Sequence, residues 1–193
     1  MSMSRDMEVL YAAYRRLDPD GRWVGLEAGP ETGDWFCTPV GTRVLGWDNG
    51  AHYGTIEGFG DLVFCVDPEP NGPRYVSPLA RDLRDLLRLL LAVGNANVLR
   101  QLPGWDRADY DTFRADPEMD PFRDRSQAVL DRLRSGLDLE PMPDPFGYVK
   151  ALQAGFPYER LRFSDEYYDV LGLARPHGDE PEPGRWAPAD VGP

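Results

Sequence analysis

Residues 46–68 read GWDNGAHYGTIEGFGDLVFCVDP, and turn residues divide this stretch into short segments rich in apolar and β-branched side chains. Asp48, Asn49 and Gly50 tolerate the positive φ of a tight hairpin turn, and Gly58 and Gly60 mark a second turn. The pattern predicts three strands, at 42–47, 51–57 and 62–66. Strands joined by such short turns run antiparallel, so the stretch predicts a three-stranded antiparallel meander.

The segment that follows the meander, 77–94, reads SPLARDLRDLLRLLLAVG and carries the strongest helical pattern in the chain. Ser77 and Pro78 are residue types typical of an N-cap and a first helical position, and Gly94 is typical of a helix end. The sequence therefore predicts a helix beginning at Pro78, with one apolar face buried against the sheet. The leucines of that face are Leu79, Leu83, Leu86, Leu87, Leu90 and Leu91. Just before it, Tyr75 and Val76 indicate a short further strand pairing.

Further helices are predicted on both sides of this unit. One precedes the meander at 4–17, where apolar residues recur at spacings of three and four. Those that follow are a short helix capped by Asn95 or Asn97, one opened by Asp106, one over 126–137, one over 146–152 and a last one capped by Ser164. Together these patterns predict an α+β fold, in which an antiparallel β-meander sheet packs against helices and further helices follow at the C-terminal side.

The length of 193 residues suits a single α+β domain, which we expect to span 1–173. Residues 174–193 are dominated by proline, glycine and charged side chains. Such a composition buries too little apolar surface to offset the entropy lost on ordering. We therefore expect a loosely ordered tail after residue 173.

The charge balance is acidic: 33 Asp and Glu residues against 21 Lys and Arg give a formal net charge of −12. A field of this sign repels phosphate backbones and anionic lipid surfaces, so neither direct nucleic-acid binding nor membrane binding is expected. An acidic surface suits a basic protein partner, because complementary fields speed encounter. The alternative is that the acidity only keeps the protein soluble.

Apolar runs of membrane-spanning length do not occur in the sequence, and residues 1–6 lack the basic start and apolar core of a signal peptide. These features predict a cytoplasmic protein. The composition, with 20 arginines beside a single lysine, suggests a bacterial source with a GC-rich genome. In a reducing compartment Cys37 and Cys65 are expected to be free thiols that pack as small apolar side chains.

Metal-binding and catalytic patterns are sparse. The two cysteines and two histidines lack the paired spacing of zinc ligands, and no calcium-loop motif occurs, so neither a metal nor a cofactor is expected. Cys65 lies within an apolar strand, a setting typical of an inert buried thiol. The carboxylates beside the turns, Asp48, Glu57 and Asp61, have two interpretations: solvated turn residues, or groups for general acid–base chemistry.

The order of these segments resembles the SUKH superfamily over residues 4–94. The features that carry the resemblance are an N-terminal helix, a tryptophan-bearing glycine-rich lead-in, the meander YGTIEGFGDLVFCVDP and the leucine helix SPLARDLRDLLRLLLAVG. The resemblance implies an α+β fold without catalytic machinery. It also implies a bacterial immunity protein that binds and neutralises a toxin, frequently a nuclease or a deaminase. Residues 95–173 lie outside it, as a helical extension.

The leading hypothesis is a non-catalytic protein-binding module rather than an enzyme, and the resemblance narrows it to an immunity protein. We expect side chains of the meander and its lead-in to contact a basic partner, since interfaces favour aromatic anchors and acids complement a basic face. These side chains are Trp35, Asp48, Tyr53, Glu57 and Asp61. For Trp35 and Tyr53 the alternative is a place in the core. Alternative functions are a small hydrolase or transferase using Asp48, Glu57 or His52 in a cleft, and a self-associating structural subunit.

Overall fold

The computed structural model describes residues 3–17, 19–29, 34–48, 50–116 and 123–176. In this part of the chain, five strands form one sheet and seven α-helices surround it. The strands are β1 (Glu27–Ala28), β2 (Thr42–Asp48), β3 (Ala51–Ile56), β4 (Val63–Val66) and β5 (Val76–Ala80). The helices are α1 (Arg5–Leu17), α2 (Leu83–Val93), α3 (Ala96–Gln101), α4 (Arg107–Ala115), α5 (Arg123–Leu137), α6 (Pro145–Ala154) and α7 (Asp165–Leu171). The α+β fold class is confirmed.

The sheet follows chain order, β1-β2-β3-β4-β5, and every neighbouring pair is antiparallel. The predicted meander is confirmed as β2, β3 and β4. The sheet extends beyond the meander on both sides, because β1 pairs with Gly46 and Trp47 of β2 and β5 pairs with β4. The presentation of side chains from the meander edge to a partner stays a prediction.

The predicted start of the leucine helix is wrong. Residues 76–80 form β5, in which Ser77 lies opposite Cys65 and Pro78 opposite Phe64. A proline is tolerated there because β5 is the last strand of the sheet and its outer side needs no ladder hydrogen bond. The helix α2 begins at Leu83, after the N-cap Asp82, and ends at Gly94 in the left-handed conformation. The strand pairing expected at Tyr75 and Val76 is confirmed for Val76 and runs on to residue 80.

Both faces of the sheet are covered. On one face, side chains such as Tyr53, Val63 and Cys65 join a cluster with α1, α2, α3 and α5. On the other face, Phe64 and its neighbours pack against residues from α6 and the segment that follows it, including Phe156. All six residues of β3 are consequently buried.

The remaining predicted helices are confirmed. Asn95 caps α3 by accepting a hydrogen bond from the Asn97 N–H at 2.8 Å, and Asp106 forms a capping box with Asp109 at the start of α4. Ser164 precedes α7 without a side-chain cap. Within the described ranges, no helix combines the length and apolar character that crossing a membrane requires. Of the predicted loose tail, residues 177–193 lie outside the described residues.

Candidate functional site

The two ends of the sheet carry different polar side chains. Val63 of β4 pairs with Thr55 of β3 and with Ala80 of β5, so the turn after β3 and the start of α2 meet at one end. Val66 pairs with His52 and with Val76, so the hairpin after β2 and the connection after β4 meet at the other end. We call the first the acidic end, defined by Glu57, Asp61 and Asp82, and the second the cleft end, defined by Asp67, Arg74 and Arg100.

The five residues predicted to bind a partner do not come together. Glu57 and Asp61 belong to the acidic end, whereas Trp35 and Asp48 lie near the hairpin at the opposite end. The two groups are separated by the length of β3, which for six residues is about 20 Å. Trp35 therefore shares no compact contact surface with the two carboxylates.

Two of the five are buried. Tyr53 is 1% exposed, and its hydroxyl donates a hydrogen bond to the Ala96 carbonyl at 3.0 Å. Asp48 is 8% exposed. Helices cover the face of β3 on which Tyr53 lies, so Tyr53 offers almost no surface, and a contact by Asp48 stays a prediction. Trp35 is 39% exposed and Glu57 is exposed at the opposite end, so a contact by either residue stays a prediction.

The groups proposed for the enzymatic alternative are also separated. His52 is 1% exposed and lies beside the Trp35 ring, with 6.3 Å between ring centroids. Asp48 shares that end of the sheet, but Glu57 lies at the other. Cys37 and Cys65 are free and buried, and burial raises the pKa of both thiols, that of Cys37 to about 11. At neutral pH both are therefore protonated thiols rather than nucleophilic thiolates.

Three carboxylates converge on a groove at the acidic end. The groove has a volume of about 380 Å³, and its charged lining residues are Asp6, Asp61, Asp82 and Arg84. Asp61 Oδ1 accepts a hydrogen bond from the Ser4 N–H at 2.8 Å, which holds the start of α1 against the turn before β4. Asp82 Oδ1 accepts from the Asp85 N–H at 2.8 Å, as the N-cap of α2.

The Asp82 carboxyl is electrostatically unfavourable in its charged form. Burial raises its pKa, and the neighbouring carboxylates of Asp85 and Asp61 add to that rise, although backbone N–H donors at the cap oppose it. A positive charge placed in the groove would stabilise the ionised form. The acidic end is thus suited to a cationic side chain.

A second cleft, at the other end of the sheet, was not predicted. It has a volume of about 360 Å³ and lies between the connection from β4 to β5, the end of α3 and the helix α6. Its polar lining side chains include Asp67, Asn71, Arg74, Ser77, Arg100, Lys150 and Gln153. These residues come from three separate segments, 67–77, the end of α3 and α6, so no local motif marks the site. The one feature of the sequence that could have indicated this cleft is Lys150, the single lysine of the chain.

Each positively charged side chain of this cleft contacts a neighbouring group of the protein. Lys150 Nζ donates to the Pro103 carbonyl at 3.0 Å, and the Arg74 guanidinium lies 3.8 Å from the centroid of the Tyr158 ring. Arg100 Nε lies 3.4 Å from Asp67 Oδ2. Burial lowers the pKa of Lys150. The cleft therefore contains many hydrogen-bond donors and few hydrogen-bond acceptors.

Within the described part of the chain, no three His, Cys, Asp or Glu residues are grouped as metal ligands would be. Comparison of the chain with protein-family models, with curated proteins and with solved structures found no match. The resemblance to the SUKH superfamily therefore stays a prediction from the sequence.

Proposed function

We propose that this protein is a non-catalytic binding module whose acidic groove receives a basic side chain of a protein partner. The observation that carries the proposal is the convergence of Asp6, Asp61 and Asp82 on one groove, where Arg84 offsets only one of the three charges. The raised pKa of Asp82 supports it, since an incoming cation would offset the effects of burial and of the Asp85 and Asp61 carboxylates on its charged form.

The chemistry favours arginine over lysine in the partner. A guanidinium presents a fork of N–H donors that matches two carboxylate oxygens at once, and its hydration shell is weaker than that of an ammonium group. The net charge of −12 adds a long-range field that attracts a basic protein and increases the association rate. Of the residues chosen from the sequence, Asp61 lies in the groove and Glu57 lies at the same end of the sheet.

The resemblance noted in the sequence adds a biological role to this proposal. A bacterial immunity protein acts by binding its toxin, and it needs a complementary surface rather than catalytic groups. In this version the partner is a basic toxin domain and the complex forms in the cytoplasm. The partner would be encoded beside the gene for this chain.

The test is co-expression with the toxin-like product of the adjacent gene, together with calorimetry on the purified proteins. We expect protection of the cells and a saturable complex. Asp61→Asn should weaken that complex about tenfold, the size of one lost charge-assisted contact. Asn still accepts the hydrogen bond from Ser4.

The matched control is Asp131→Asn, which removes the same charge from an exposed position on α5. This variant should bind within about twofold of the unmodified protein, because a solvated charge far from an interface contributes little. Lack of both binding and protection would refute the immunity role. Equal losses for the two variants would refute the groove as the contact site.

A further inference from the structure

The cleft between β4, β5, α3 and α6 is a positively charged site in an acidic protein. Arg74, Arg100 and Lys150 line it, and Asp67 is the sole carboxylate among its lining residues. The cleft therefore holds an excess of two positive charges in a chain whose formal net charge is −12. Cations gathered in a concave site strengthen the local field, because the low-dielectric walls reduce screening by water.

The ion pair between Asp67 and Arg100 leaves hydrogen-bonding capacity unused. Its closest atoms, Asp67 Oδ2 and Arg100 Nε, are 3.4 Å apart, and neither atom has a hydrogen bond within the described ranges. The other oxygen, Asp67 Oδ1, accepts from the Glu69 N–H at 2.9 Å. The hydrogen bond from Glu69 therefore fixes the Asp67 carboxylate, whereas Arg100 Nε interacts with that carboxylate only electrostatically. An anion in the cleft would give Arg100 the hydrogen bonds that Asp67 does not supply.

Two further cations are positioned for the same ligand. Lys150 uses one of its three N–H donors on the Pro103 carbonyl, which leaves two for a ligand. Arg74 lies over the Tyr158 ring, an arrangement that restricts the guanidinium without using its N–H groups. The side chains are thus partly ordered before a ligand arrives, which lowers the entropy cost of binding.

Neutral donors complete the lining. Gln153 lies on α6, and its buried Nε2 has no hydrogen-bond partner in the described part of the chain. A buried donor left without a partner costs free energy, and an acceptor beside it would remove that cost. Ser77, on β5, adds a hydroxyl to the same lining.

From this set of groups we infer that the cleft binds a small phosphate monoester. A phosphate monoester carries close to two negative charges at neutral pH and offers three acceptor oxygens, which matches the excess charge and the unused donors. The volume of about 360 Å³ lies within the range of small-ligand sites. Tyr75 and Tyr158 line the cleft as well and add aromatic surface beside an organic group on the ester.

A small ligand suits this cleft better than a nucleic acid does. A polyanion must bring many phosphates close to the protein, and the net charge of −12 opposes that approach. One phosphate enclosed among Arg74, Arg100 and Lys150 avoids most of this repulsion, because salt screens charges beyond about 10 Å. This inference is independent of the proposed protein-binding role, which uses the opposite end of the sheet.

The experiment is calorimetric titration of the purified chain with phenyl phosphate at pH 8, with phenyl sulfate as the monoanionic counterpart. We expect saturable binding of phenyl phosphate with a Kd of about 1 mM or lower, about tenfold tighter than phenyl sulfate. Lys150→Gln should weaken binding about tenfold, and Lys150→Arg should retain most of it, since the charge remains. The matched control is Arg132→Gln, on the exposed surface of α5, which should leave the affinity unchanged.

Three results would overturn the inference. The first is the absence of saturation at about 10 mM phenyl phosphate in a sample whose thermal unfolding is normal. The second is equal affinity for phenyl phosphate and phenyl sulfate, or equal effects of Lys150→Gln and Arg132→Gln. The third is a single-stranded oligonucleotide that displaces phenyl phosphate and binds more tightly, which would assign the cleft to a nucleic acid.

Discussion

At the scale of single residues, the cleft depends on one glycine. The connection from β4 to β5 packs against the turn after α3, and a Cβ atom built on Gly104 would overlap the Asn71 carbonyl oxygen. No other residue type allows the two backbones to approach so closely. Gly104 thereby sets the position of the segment that carries Arg74.

We expect Gly104→Ala to lower the free energy of unfolding by about 1–3 kcal/mol, because the added methyl group must displace the Asn71 backbone. Gly155→Ala is the matched control, since a Cβ there meets no atom within 4 Å and the φ of −102° suits alanine. The control should change stability by less than about 0.5 kcal/mol. Urea denaturation monitored by circular dichroism measures both, and equal effects would show that the contact at Gly104 is not tight.

The burial of Tyr53 and Asp48 could not be predicted from the sequence. The sequence predicts Tyr53 and Asp48 as interface residues because interfaces favour aromatic anchors and acids complement a basic face. Both are buried, since β1, the helices and the lead-in cover the region where they lie. Residue type indicates what a side chain can do, but its exposure depends on segments distant in the chain.

At the scale of elements, the boundary between β5 and α2 shows how one pattern fits two structures. Leu79 continues the leucine spacing of α2, yet it lies in a strand, where it is fully buried. Leucine is tolerated in both elements, and the Ser77–Pro78 pair is acceptable both at a helix start and in an outer strand. Pairing with β4 decides the outcome, because it satisfies backbone groups of residues 76–80.

The N-cap of α2 predicts a pH effect. The pKa of Asp82 is raised, first by burial and then by Asp85 and Asp61, with Asp6 and Arg84 also facing the groove. An acid whose folded pKa is raised contributes stability below its unfolded pKa, and that contribution is lost as the pH rises through the folded pKa. Ionised Asp82 therefore lowers stability at neutral pH.

Asp82→Asn keeps the cap, because asparagine also accepts a hydrogen bond at an N-cap, and it removes the charge. The stability of this variant relative to the unmodified protein should increase from about pH 3.5 towards pH 7. The increase is expected in this range because the carboxyl group of Asp82 ionises above the ordinary carboxyl pKa of about 4. Thermal unfolding across this range provides the measurement. A relative stability that falls as the pH rises would contradict the raised pKa.

At the scale of the whole molecule, the sheet is the shared centre of two apolar clusters. The helix-side cluster and the aromatic cluster pack on opposite faces of β3 and β4, and both strands are buried throughout. The last helix, α7, contains no buried residue and lies against the outside through Tyr167, which contacts the ring of Phe36. Stability should therefore be highest at the sheet and lowest at α7.

Native-state hydrogen exchange tests whether the sheet is locally more stable than α7. Amides of β3 and β4 should exchange only through global unfolding, whereas amides of α7 should exchange through local opening at a lower free energy. Denaturant dependence distinguishes the two, because only global opening exposes a large surface. Protection of α7 equal to that of β3 would show that the aromatic layer unfolds together with the sheet.

The sequence by itself determined the elements whose signals are local: the meander with its glycine turns, the helices capped by Asn95 and Asp106, and the α+β class that follows from the order of the elements. It also determined the acidic net charge. Only the tertiary structure decided that residues 76–80 form a strand, that Tyr53 and Asp48 are buried, and that three distant segments build a cationic cleft. The physical reason is that turns and caps form between near neighbours in the chain, whereas burial and clustering depend on which distant segments pack together.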